Sequence, residues 1–144
     1  MEERSPAQVF ALVIGLTLVV AGIAGFFYNA SFDTGDDLPR DALIGILDIN
    51  GWHNVVHIAT GVIALAVAGS YDVARLFAIW GGAVYLLIAV AGFIAGDGGV
   101  LVGLVPVNTE DNFLHLLIGI AGLGAGFATP TVEPPSLAGA RAPA

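Results

Sequence analysis

The sequence predicts an all-α membrane protein, a four-helix bundle built from two tandem helical-hairpin repeats, and three observations carry that expectation. Of 144 residues, 57% are hydrophobic and 11% charged, far more apolar than a soluble domain of this length. Four apolar stretches approach the roughly 20 residues needed to cross a hydrocarbon core: Val9 to Tyr28, Trp52 to Ser70, Val73 to Gly96 and Phe113 to Ala128. A polar phrase is also written twice, once from Leu43 to His57 and again from Leu101 to His115, each copy running into an apolar stretch and the two together holding every histidine of the chain.

The first stretch has a cleaved signal peptide as its rival. Glu2 and Glu3 beside Arg4, and apolar sequence that runs on through Phe26-Phe27-Tyr28, argue for a retained span. The first connection is turn-forming and polar from Asn29 to Asp37, while Pro39 to Leu47 is expected as a short interfacial helix with Pro39 near its first position. Asn29-Ala30-Ser31 matches a glycosylation sequon, read as chance so close to a span end. Gly69-Ser70-Tyr71-Asp72 is so short that spans two and three are expected to be antiparallel neighbours. The fourth stretch is short and is expected to recruit adjoining residues.

The single domain is expected over residues 1–128, with repeat one at 7–70 and repeat two at 73–128. Gly15 to Phe27 aligns with Gly82 to Ile94, so the copies share one orientation about a pseudo-twofold axis along the membrane normal. Residues 129–144, with four prolines and several alanines, are expected to form a disordered tail. Arg4, Arg75 and Arg141 share one side against Arg40 on the other, which places both termini in the cytoplasm by the positive-inside rule.

Twelve acids against four bases, all arginine, give a net charge of −8, a balance suited to high salt, where carboxylates keep a surface hydrated. With no basic patch, nucleic acid is not an expected partner. The lipid bilayer is, and glycine-rich faces at Gly22-x-x-Gly25, Gly81-Gly82 and Gly119-x-x-Gly122-x-Gly124-x-Gly126 suit close helix packing, within the chain or in a homo-oligomer or membrane-protein complex. Cysteine is absent, which removes thiolate metal sites and covalent haem attachment. The Asp33 to Asp37 cluster lacks the ligand spacing of an EF-hand loop, and no serine or phosphate-binding pattern points to hydrolase or nucleotide chemistry. Trp52, Tyr28, Trp80 and Tyr85 are candidates for interface anchoring or bundle packing.

Within the repeated phrase, Asn50 and Asn108 are placed as helix N-caps, with His53 and Asp111 three residues on. Asn54 and Asn112 begin the next turn, and His57 and His115 follow on the same face. One reading is a capping and interhelical hydrogen-bond network. The other is that His53, His57, Asp111 and His115 converge on a transition metal, a haem or a protonatable site, since imidazoles four apart on a helix can share one ion.

The segment Asn50-Gly-Trp-His53-Asn54-Val-Val-His57 followed by Gly61, together with Pro106-Val-Asn108-Thr-Glu-Asp111-Asn112-Phe-Leu-His115, resembles domain of unknown function family 4383, small four-helix membrane proteins of bacteria and archaea. The resemblance covers about residues 7 to 128 and implies a four-span integral membrane protein without supplying an activity. The leading expectation is therefore a structural or interaction protein of the cell membrane, with an enzyme as the third and least favoured reading. Its alternative is a metal- or haem-binding protein handling electrons, protons or ions through the histidines.

Overall fold

The computed structural model describes residues 4–39 and 41–134. Arg40, Arg141 and residues 135–144 of the expected tail lie outside the described residues. Four helices make the body: α1 (Pro6–Gly25), α2 (Gly51–Val67), α3 (Tyr71–Ala95) and α4 (Thr109–Ala128). Two short antiparallel hairpins precede α2 and α4, one of β1 (Asp41–Leu43) and β2 (Leu47–Ile49), the other of β3 (Gly99–Leu101) and β4 (Val105–Val107).

Each helix begins where its sequence supplies a cap or a short link. Ser5 caps α1 in a reciprocal box with Gln8, and Pro6 fills the first turn, where no N–H is needed. Asn50 Oδ1 accepts from His53 N–H at 2.9 Å, and Asn108 Oδ1 accepts from Asp111 N–H at 2.8 Å. Such caps are worth about 1 kcal/mol each. The fourth helix starts at Thr109, four residues ahead of its apolar stretch, and so gains the length that stretch lacked.

Helices α1, α3 and α4 are long and apolar enough to cross a membrane. With 17 residues α2 is shorter, about 26 Å against a hydrocarbon core of about 30 Å. The bundle is small inside and large outside. Ala7, Ala11, Ala64, Ala74, Ala78 and Ala89 are fully buried, while Val13, Leu16, Val20, Trp80, Leu87, Ile94, Leu117 and Phe127 are exposed. Exposed side chains of that kind on every long helix fit lipid, and small residues between helices let backbones approach.

The close pairs are α1 with α2 and α3 with α4. At the first interface a side chain on Gly15 would strike the Gly61 carbonyl, and one on Gly61 would strike the Gly15 carbonyl. At the second, Gly82 lies against Gly119 and Gly122. The expected packing of α2 on α3 is not what forms: despite the short link through Ser70, they touch only slightly. Glycine faces, not chain proximity, choose the partners. Gly124 lies in open space and Gly81 touches only the Phe77 ring, so neither joins these faces.

The expected interfacial helix from Pro39 to Leu47 is replaced by the first hairpin, in register Asp41 with Ile49, Ala42 with Asp48 and Leu43 with Leu47. Gly45 in mid-segment, flanked by β-branched Ile44 and Ile46, disfavours helix and suits a turn. Ile44 and Gly45 both have positive φ, and Gly45 N–H and Ile46 N–H bond back to the Ala42 and Leu43 carbonyls. The second hairpin repeats the device at Val102 and Gly103.

At the opposite end the start of the expected tail is tied down. Thr129 Oγ1 accepts from Ala7 N–H and donates to the Ala125 carbonyl. Arg75 Nε donates to the Thr129 carbonyl at 2.9 Å, Tyr71 to the Pro130 carbonyl at 3.1 Å, and Gln8 Nε2 to the Ala68 carbonyl at 3.2 Å. These bonds fasten the first and last helices to the α2–α3 link.

Candidate functional site

The hairpins bring the first turns of α2 and α4 side by side. Each capping asparagine reaches across to the other hairpin: Asn50 Nδ2 donates to the Leu104 carbonyl at 2.7 Å, and Asn108 Nδ2 to the Ile46 carbonyl at 2.6 Å. One turn deeper, Asn54 and Asn112 press on glycines of the adjacent helices. A side chain at Gly25 would overlap Asn54 Oδ1, and one at Gly92 would overlap Asn112 Oδ1. Both oxygens are buried and accept no conventional hydrogen bond. The glycine α-hydrogens that point at them supply weak C–H···O contacts instead.

Asn54 also donates to the Asn29 carbonyl at 2.9 Å. Asn29 itself, the asparagine of the sequon, is buried and accepts from Ser31 N–H, which makes it a structural residue of the first loop.

Below the crossed caps, three imidazoles meet. His53 and His57 lie four apart on one face of α2, with ring centroids 4.3 Å apart, and His115 of α4 faces them with its centroid 6.1 Å from that of His53. One ring nitrogen from each lies within 4.8 Å of the other two. His53 Nδ1 sits 2.9 Å from the Asp48 carbonyl oxygen. A carbonyl only accepts, so Nδ1 carries the proton and Nε2 keeps its lone pair. His115 is 5% exposed, and its Nδ1 has no hydrogen-bond partner. Tyr85 of α3 lies against the far side, its ring centroid 5.6 Å from that of His115.

Of the four residues expected to converge, the structure gathers His53, His57 and His115. Asp111 is not in that group. Its Oδ2 instead accepts from Asp48 N–H at 2.9 Å and from Asn108 N–H at 3.1 Å. Beside this arrangement a cleft of about 300 Å³ opens between the first hairpin and the start of α4, lined by Asp48, Asp97, Asn108 and Glu110 among others.

Two participants carried little signal as site residues. Asp48 takes part through its backbone, and only its pairing in the repeated phrase with Pro106, which has no N–H, hints at a distinct role. Tyr85 stands where the alignment of Gly15 with Gly82 puts Leu18, so a polar group replaces an aliphatic one beside the histidines.

A family model described as Domain of unknown function (DUF4383) matches residues 8–128. No curated protein and no solved structure matches the chain.

Proposed function

The chain belongs to the DUF4383 family, and on that premise we propose that it is an integral membrane protein that binds one transition-metal ion through His53, His57 and His115. The observation that carries this is the meeting of three imidazole nitrogens from two helices within 4.8 Å of one another. Tetrahedral coordination with metal–nitrogen bonds of about 2.0–2.1 Å sets ligand nitrogens about 3.3 Å apart, so side-chain rotations of an ångström or so close the site. Two further features favour an ion. His53 is oriented by a carbonyl on its other nitrogen, the usual outer support of a metal-bound imidazole. His115 Nδ1 is buried without a partner, a cost of about 1–3 kcal/mol that coordination or a bound water would relieve.

Three protein nitrogens leave a fourth position open, as in sites where a metal holds water or an exchangeable ligand. A haem fits the donor set less well, because its iron takes at most two axial ligands and a third histidine would be left over. The carboxylates of Asp48, Asp97 and Glu110 around the neighbouring cleft raise the local cation concentration.

The same reading includes a four-span topology made of two copies of one helix–hairpin–helix unit, lipid on the large aliphatic faces, and both termini in the cytoplasm. Arg4 and Arg75 at the end away from the hairpins support that orientation.

Metal analysis of the full-length protein purified in detergent, beside a His57→Ala, His115→Ala double variant, tests the site. The expected result is about one equivalent of zinc, copper or cobalt per chain, lost in the variant, with the fold kept by circular dichroism. Wild-type protein that takes up no stoichiometric metal would leave the histidines as packing residues of a structural membrane protein.

A further inference from the structure

Asp111 holds in α4 the place that His53 holds in α2, three residues after the capping asparagine, yet its carboxylate is committed away from the rings. What it grips is residue 48. That residue is bound from two sides: its N–H donates to Asp111 Oδ2 at 2.9 Å, and its carbonyl oxygen lies 2.9 Å from His53 Nδ1. Both backbone groups of Asp48 therefore point away from β1, as they do in the non-hydrogen-bonded pair of an antiparallel ladder, which residue 48 forms with Ala42. A three-residue strand in a two-stranded sheet has few bonds of its own to hold it.

We propose that Asp111 is a positioning residue for the histidine site, acting through residue 48 on His53, an inference that rests on the metal-site reading above. The chain of bonds runs from the carboxylate to the Asp48 N–H, and from the Asp48 carbonyl to the imidazole. It fixes the His53 ring plane and keeps the proton on Nδ1, so that Nε2 is free to ligate. Asp111 Oδ2 is itself held by Asn108 N–H at 3.1 Å, which ties the strut to the start of the helix that carries His115. Ligands from α2 and α4 are thereby set in one frame. The second hairpin has no matching strut, because the residue in the place of Asp48 is Pro106, with no N–H to give.

Asp111→Ala and Asp111→Asn in the full-length protein, titrated with cobalt(II) in detergent, test this alongside nitrogen NMR of the metal-free histidine rings. The alanine variant should bind cobalt about 10–100-fold more weakly, with an altered visible d–d spectrum, as outer-shell losses do. Its His53 ring should also become a mixture of tautomers. The asparagine variant keeps an oxygen that can accept both N–H groups, and it should stay within a few-fold of wild type with a single Nδ1–H tautomer. A stability loss alone would move neither spectrum nor tautomer.

An alanine variant with wild-type affinity, spectrum and tautomer would overturn the proposal while leaving the metal site standing. If wild-type protein binds no cobalt, the metal reading fails, and the His53 tautomer in the metal-free variants still decides whether Asp111 positions the ring. Should Asp111→Ala fail to fold, Asp48→Pro removes the donor instead of the acceptor and is expected to free the same ring.

Discussion

The segment from β1 through α2 and the segment from β3 through α4 use one scaffold and dress it with different side chains. Both have a hairpin turned at a β-branched residue and glycine of positive φ, a capping asparagine bonded across to the other hairpin, and a buried asparagine against a glycine of the preceding helix. They part at the residue three after the cap, His53 in one and Asp111 in the other, and at Asp48 against Pro106. The shared positions build the frame. These two divergent places are linked, since Asp111 reaches the N–H of residue 48 and the carbonyl of residue 48 reaches the His53 ring.

The largest expected effect tests the shared frame. Gly92→Ala and Gly25→Ala each put a methyl group onto a buried amide oxygen, between helices with no slack. Each should cost about 3 kcal/mol, the upper part of the usual range for overpacking, in reversible unfolding from mixed micelles. Equal losses are expected, since the two contacts are alike; a large loss at one glycine and none at the other would break the equivalence of the halves.

Next comes the position where the halves diverge. Asp48→Pro makes the first hairpin resemble the second and removes the N–H that Asp111 accepts. Losing this buried bond to the Asp111 carboxyl oxygen should cost about 2 kcal/mol. Pro106 is itself buried, so Pro106→Ala, which removes ring carbons and returns an N–H that no carboxylate awaits, should cost about 1–3 kcal/mol by a different route. A double-mutant cycle with Asp111→Ala separates the two: the Asp48→Pro loss should shrink in that background and the Pro106→Ala loss should not, and an unchanged Asp48→Pro loss would show that the strut to Asp111 contributes nothing.

Much of this frame was legible in the chain, and the part that was not has physical reasons. Apolar length marked four helices, and the asparagine three residues before His53 or Asp111 marked two of their starts, because capping is local chemistry. The hairpins were hidden because three-residue strands carry too little alternation to register, and Pro39 imitates a helix start. Pairing of α1 with α2 and of α3 with α4 follows the two hairpin repeats, and only the short link through Ser70 misled, by suggesting that α2 also packs on α3. Convergence of His115 with His53 and His57 was one of the two readings the repeat offered, but the departure of Asp111 from that group was not, because it is drawn to the Asp48 N–H of a hairpin that the pattern did not disclose. The grip of Thr129 on Ala7 was masked by the proline-rich composition around it.

The capping asparagines give a smaller and graded pair of effects. Asn50→Ala and Asn108→Ala each lose a cap bond and a bond to the opposite hairpin. Each should lower stability by about 1–2 kcal/mol. Asn108→Ala should be the larger loss, because its helix start is a reciprocal box in which Asp111 also accepts the cap's own N–H, so a shift of the start disturbs both bonds. Asn50 has no such partner, since His53 is turned to Asp48. Equal effects would mean that the carboxylate holds its place without the cap.

The smallest effect runs in the opposite direction. Ile44 and Val102 have φ of 51° and 49°, a region that crowds a β-branched side chain, and both are exposed, Val102 at 87%. Neither gains burial in return for the strain. Glycine relieves the crowding but also loosens the unfolded chain, so the net gain of Ile44→Gly or Val102→Gly should be under about 1 kcal/mol. Asparagine, which tolerates the left-handed region and keeps a side chain, should do slightly better at both turns. The two gains should match if the turns serve only to close their hairpins. A gain at Val102 with a loss at Ile44 would mean that the first tip is held by something the second is not, and since Ile46 of that same turn receives the Asn108 bond and Asp48 follows two residues later, the cobalt spectrum of Ile44→Asn would then show whether the turn is felt at the histidines.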